Sequence, residues 1–147
     1  MDPKDFVDTI DDARVVAAIQ AAEARCRAEI RVHVTREPVG DAQGAAVLVF
    51  EALGMADTEE RNGVLIYVSP RSQTFAIIGD SGLDQKCGRT FWHEVAAAMR
   101  ADFREHRFTE GLVRGVERAG EELHRYFPRE GGRADVYLDG ARKGEID

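Results

Sequence analysis

The run Val64-Leu65-Ile66-Tyr67-Val68 constrains this chain more than any other stretch in it. In a strand, successive side chains point to opposite faces, so a strand that is apolar at every position must be covered on both. The run therefore reads as the central strand of a sheet. Ser69-Pro70-Arg71-Ser72-Gln73 turns the chain immediately afterwards, and Thr74-Phe75-Ala76-Ile77-Ile78 is a second strand close enough to pair with it antiparallel.

The elements around this hairpin follow from changes of period. Upstream, Glu29-Ile30-Arg31-Val32-His33-Val34 alternates polar and apolar, which predicts a strand with one buried face and a partly exposed, charge-balanced row of Glu29, Arg31 and His33. Pro38 and Gly40 end it. Asp41 then caps a helix whose apolar stripe is Ala45, Leu48, Val49, Ala52 and Leu53, with Gly54 as its stop. Ahead of both, Thr9-Ile10-Asp11-Asp12 is a helix start, and Val15, Ile19, Ala22 and Cys26 recur at helical spacing behind it. Gly79-Asp80-Ser81-Gly82 breaks the sheet. A third helix over about residues 89–105 buries Trp92, Val95, Met99 and Phe103. A fourth begins at Thr109, buries Leu112, Val116, Leu123 and Phe127, and ends at Pro128. The order α-β-α-β-β-α-α predicts an α/β fold: a parallel pair joined by a right-handed crossover, extended by an antiparallel hairpin. The result is a mixed β-sheet flanked by helices in a three-layer sandwich. Residues 1–128 form one domain, and 129–147 read as a C-terminal tail whose Val136-Tyr137-Leu138 could dock on it.

Composition narrows the partners. The 147 residues carry a formal charge of −7, with no concentrated basic face to neutralise phosphates, so no nucleic acid is expected. An acidic surface also repels anionic membranes. The N-terminus opens polar, no apolar stretch reaches spanning length, and a cytoplasmic protein without membrane insertion is expected. Cys26 and Cys87 have no second cysteine or histidine at zinc-site spacing, and Cys26 reads as a small core hydrophobe. The charge balance favours cationic partners or a divalent metal ion.

The hairpin has a consequence for function. The start of one antiparallel strand lies beside the end of its partner. The loop carrying Asp57, Glu59, Glu60 and Asn62 must therefore meet the loop carrying Asp80, Ser81 and Asp84. Carboxylates and an amide at one end of a sheet are candidate oxygen ligands for calcium or magnesium, and Gly63, Gly79 and Gly82 would let backbone carbonyls approach. The same residues could equally form solvated loops, with Asp80 bonding turn amides and Asn62-Gly63 a turn signal.

Five segments in order resemble the TPM-domain family: Glu29-Ile30-Arg31-Val32-His33, Phe50-Glu51-Ala52-Leu53-Gly54-Met55, Arg61-Asn62-Gly63-Val64-Leu65-Ile66, Ile78-Gly79-Asp80-Ser81-Gly82-Leu83 and Phe108-Thr109-Glu110-Gly111-Leu112. The resemblance spans about residues 10–127 and implies a mixed sheet flanked by helices. It also implies a choice of roles, since some members are described as acid phosphatases, some bind calcium, and others assist assembly or repair of membrane complexes. Many carry a signal peptide and a membrane anchor; neither is expected here, so the chain looks like a cytoplasmic offshoot. Where many members read Asp-Asn-Gly, this chain has Arg61-Asn62-Gly63, and where they read Gly-Tyr-Gly-Leu-Glu it has Gly79-Asp80-Ser81-Gly82-Leu83-Asp84. One carboxylate is lost and another gained. Asn62, Gly63, Gly79 and Gly82 carry over most directly.

Two strings mislead. Gly79-Asp80-Ser81-Gly82 has the look of a chymotrypsin-like nucleophile motif, but such proteases are all-β and larger. His93-Glu94 begins a zincin-like string, yet Ala97 stands where its second histidine must be. The residue six positions after Cys87 is His93 rather than arginine, and no Asp-x-Asp pair offers an aspartyl nucleophile, so phosphate-ester hydrolysis would need a metal-bound water. Asp80 and Asp84 would hold the ion, Asn62 would support it with Glu59 and Glu60 nearby, and His93 could orient substrate or transfer a proton. Two hypotheses follow: a cation-binding domain with phosphatase activity on phosphate monoesters, or a non-catalytic protein-interaction module that assists assembly or maintenance of a larger complex. An exposed apolar patch on the last two helices would support the second.

Overall fold

A computed structural model describes Phe6, residues 8–129 and the backbone of Glu145–Ile146. The elements run α1 (Asp12–Arg25), β1 (Ile30–Val34), α2 (Ala42–Ala52), β2 (Val64–Ser69), β3 (Thr74–Gly79), α3 (Ser81–Arg104), α4 (Phe108–Tyr126) and the two-residue β4 (Glu145–Ile146). Sheet order is β3-β2-β1-β4. β1 pairs parallel with β2 from Ile30↔Val64 to Val34↔Val68, and β2 pairs antiparallel with β3 from Val64↔Gly79 to Ser69↔Thr74. The sheet is therefore mixed, with helices on both faces.

β2 is buried at every position, as its composition requires. On one face Val64, Ile66 and Val68 join Ile30, Val32 and Val34 beneath α1, α3 and α4. On the other, Leu65, Tyr67 and Ala76 meet Ala42, Ala46, Phe50 and Met55 under α2. Glycines set the closeness of the first layer. A Cβ on Gly115 would stand 2.6 Å from the Met99 sulfur, and one on Gly120 2.7 Å from the Ala22 Cβ, so α4 lies against its neighbours nearly backbone to side chain.

Several elements differ from what their sequence predicts. The cap of α1 is Asp11, whose carboxylate accepts from the Arg14 N–H at 3.3 Å, rather than Thr9. Cys26 is buried, but lies just past the end of α1, where it bridges to Pro128. The buried side of α2 is Ala42, Ala46 and Phe50, while Leu48 is 69% exposed. That helix is apolar nearly all round, so spacing alone does not fix its phase, and the bulky Phe50 ring decides which side turns inward. Gly54 does terminate it, at φ 71°. His33 is buried rather than partly exposed, stacked on Tyr67 with ring centroids 5.6 Å apart. The third helix starts at Ser81, earlier than expected, and is broken at Gly88 (φ 77°), so the expected span is its second limb. Val136-Tyr137-Leu138 lies outside the described residues, whereas Glu145–Ile146 pairs with His33 and Val34 as an edge strand.

Among the described residues, no helix is long and apolar enough to cross a membrane.

Candidate functional site

The register Val64↔Gly79 brings the loop before β2 against the start of α3, as the hairpin demands. The backbone seals the junction: the Asp80 N–H donates to the Gly63 carbonyl at 2.9 Å, and the Gly82 N–H donates to the Arg61 carbonyl at 2.7 Å. This contact is why two of the glycines are glycines. A Cβ on Gly82 would overlap the Glu60 carbonyl oxygen and lie 2.7 Å from that of Arg61. A Cβ on Gly79 would lie 2.7 Å from Asp84 Oδ1 and 2.8 Å from the Trp92 ring.

Of the carboxylates in these two loops, Asp80, Asp84 and Glu60 each have a partner. Asp80 is 6% exposed and caps α3, accepting from the Ser81 N–H at 2.7 Å. Its two oxygens are gripped by one guanidinium: Arg61 Nε donates to Oδ2 at 2.8 Å and Nη2 to Oδ1 at 2.9 Å. This two-point pairing holds the guanidinium above its ordinary pKa, with the hydrogen bonds to Asp80 as the main cause. Arg61 reaches this pose from φ 53°, a left-handed backbone that also presents its carbonyl to α3.

Asp84 accepts from the Trp92 indole N–H at 2.9 Å. Partial desolvation pushes its acid above the usual carboxylate range, with nearby Asp80 adding to the rise and the indole opposing it. Asn62 is 1% exposed and donates to the Arg27 carbonyl at 2.9 Å and to Glu60 Oε2 at 3.5 Å. Glu60 in turn pairs with Arg27 at 2.9 Å. Asn62 thus ties the loop to the chain leaving α1, using its amide as a donor. Glu59 and His93 are exposed, and His93 lies about 100° round α3 from the Trp92 that faces the loop.

As these side chains stand, they do not fit an oxygen-ligated cation. Both Asp80 oxygens face Arg61, Asp84 Oδ1 faces Trp92, and the Asn62 amide nitrogen is turned to oxygen acceptors. Among the described residues, no group of three or more histidine, cysteine, aspartate or glutamate side chains is arranged to hold a metal ion. Nor is there an activated thiol, because burial raises both Cys26 and Cys87 to about 11.

Trp92 packs against the core, as its helical spacing predicts, and its indole N–H is also the donor to Asp84, a role that spacing does not show. Arg61 registered only as a lost carboxylate, although the paired exchange, an aspartate lost at 61 and one gained at 80, was the available signal of a new ion pair.

Comparison with known proteins bears on the same region. The family described as TPM domain matches residues 1–122. A solution structure of the BA42 protein from the psychrophilic bacterium Bizionia argentinensis superposes with a TM-score of 0.79 at 33% identity, covering 92% of this chain and 95% of that one. No curated protein matches.

Proposed function

The chain belongs to the TPM-domain family, and from that premise we propose that it is a non-catalytic interaction module whose loop end is closed by an arginine in place of a cation. One observation carries this reading: the two-point Arg61–Asp80 pair, which neutralises the buried carboxylate from within the chain. A buried carboxylate needs a counter-charge, and a guanidinium fork satisfies both oxygens without a metal.

A second reading, in which calcium or magnesium binds at Asp80, Asp84, Asn62, Glu59 and Glu60 and supports phosphate-monoester hydrolysis, draws on the raised acid of Asp84. A carboxyl left short of positive charge is what an added cation would relieve. In that reading the ion must displace Arg61.

Thermal melts separate the two. We expect the wild-type midpoint to be the same in chelator and in millimolar calcium or magnesium, with no hydrolysis of p-nitrophenyl phosphate in either. Arg61→Asp sets a second carboxylate beside Asp80, so it should melt lower than wild type in chelator and recover when calcium is added. A wild-type midpoint that rises with calcium, and ceases to do so in Asp80→Asn, would establish the second reading instead.

An interaction module also needs a surface. Among the described residues, the exposed large apolar side chains sit on α2, Val47 at 38% and Leu48 at 69%, rather than on the last two helices. Leu48→Ser should change stability by less than about 0.5 kcal/mol, since it removes an already solvated side chain. The same substitution should weaken retention of a protein partner by the immobilised domain. Undiminished retention would move the contact surface off α2.

A further inference from the structure

At the end of the sheet opposite the acidic loops, a cavity of about 710 Å³ opens between the β2–β3 turn and the corner joining α3 to α4. It lies at the carboxyl end of β2, the strand that runs parallel to β1, and ligand sites in α/β sheets favour the carboxyl ends of parallel strands. Its size is that of a small-molecule pocket.

The floor is aromatic. Phe6, Phe75, Phe103 and Phe108 form a connected cluster: Phe75 meets Phe103 edge-on at 5.4 Å, Phe6 meets Phe108 at 4.8 Å, and Phe103 lies 5.9 Å from Phe108. Phe75 and Phe103 are only partly buried, so their rings are available to an apolar guest. Among the described residues, the rim carries its charge on arginine. Arg100, Arg104 and His106 line it, all exposed, and Arg100 sits over the Phe75 face at 5.7 Å from its centroid. Among the described residues no aspartate or glutamate lines the cavity, in a chain that carries 27 acids against 20 lysines and arginines. An apolar floor beneath a cationic rim, on an otherwise acidic protein, selects a ligand that is apolar at one end and anionic at the other.

We propose that this cavity binds a small amphipathic carboxylate, its aromatic or aliphatic body on the Phe75–Phe103 floor and its carboxylate on Arg100 and Arg104. The site is independent of the loop end, so its test does not depend on how Asp80 is neutralised.

The experiment is a titration of the full chain, followed by backbone and aromatic NMR shifts, with 4-phenylbutyrate and with two probes of the same body, 4-phenylbutanol and 4-phenylbutylamine. Saturable shifts centred on Phe75, Arg100 and Phe103 are expected for the carboxylate, with weaker binding of the alcohol and none of the amine. Arg100→Gln combined with Arg104→Gln should weaken the carboxylate on the order of tenfold and leave the alcohol unchanged, since it removes two exposed charges and spares the floor. The midpoint of thermal unfolding confirms that the variant is folded. Equal affinity for all three probes, shifts centred elsewhere, or no saturation by millimolar carboxylate would overturn the proposal.

Discussion

Gly82→Ala should lower the stability of this domain by about 3 kcal/mol or more, a drop in melting midpoint on the order of 10 °C. The position has a helical backbone, where alanine would ordinarily be the better residue. The penalty comes from what stands opposite. The added methyl would overlap the Glu60 carbonyl oxygen and sit 2.7 Å from that of Arg61. Both are backbone atoms, held in place by the Gly82 and Leu83 N–H bonds to the Arg61 carbonyl and by the Asp80 N–H bond to Gly63. A flexible side chain could swing aside, but here the loop before β2 must retreat from α3. That retreat would lengthen the Gly82 hydrogen bond and pull Arg61 from Asp80. Ser81→Ala is the control, because Ser81 is exposed and the bond it makes to Asp80 comes from its backbone N–H. Equal midpoints for wild type and Gly82→Ala would mean that the loop yields freely, and the sealed junction would not be what positions Arg61.

This junction shows what the sequence could and could not disclose. The convergence of residues 57–63 on 80–84 was legible, because strand polarity alone requires it. So was the central place of β2, from an apolar run that no half-exposed strand tolerates. Side-chain pairing was not legible. Asp57, Glu59, Glu60, Asp80 and Asp84 look alike as letters, and only geometry shows that Arg61 takes Asp80 while Arg27 takes Glu60. The phase of α2 was hidden for a related reason: with apolar residues around most of its circumference, Leu48 and Phe50 compete for the inside, and the sheet's shape decides. His33 alternates correctly for the face opposite Val32, but alternation says nothing of whether that face meets water. Here Tyr67 stacks on it. The cavity over Phe75 and Phe103 had no signal at all, since its walls come from segments about 100 residues apart, Phe6 and Phe108 among them.

Glu23 carries the second large effect, and its sign runs against the usual one for a carboxylate. The side chain is 8% exposed on α1 and accepts the Ile30 N–H at 2.9 Å. Burial is the main cause of a pKa raised from 4.5 to about 7; nearby Glu29 adds to the rise, while the Ile30 bond, Arg31 and Arg129 oppose it. A carboxyl that holds its proton longer when folded penalises the native state as pH rises. Below pH 4.5 both states are protonated and no penalty exists. Between 4.5 and 7 the unfolded chain has released a proton that the native chain retains, so stability falls with pH, reaching a full penalty of about 3 kcal/mol above pH 7. Glu23→Gln keeps an oxygen for the Ile30 N–H and removes the titration. It should therefore melt like wild type at pH 4 and be more stable by about 2 kcal/mol at pH 8, the remainder being offset by the buried amide N–H groups it introduces. Urea unfolding of both proteins from pH 4 to 8 measures this directly. Two stability curves that stay parallel across that range would mean that Glu23 titrates alike in the folded and unfolded chain. The Ile30 N–H and its charged neighbours would then balance burial at the α1–β1 junction.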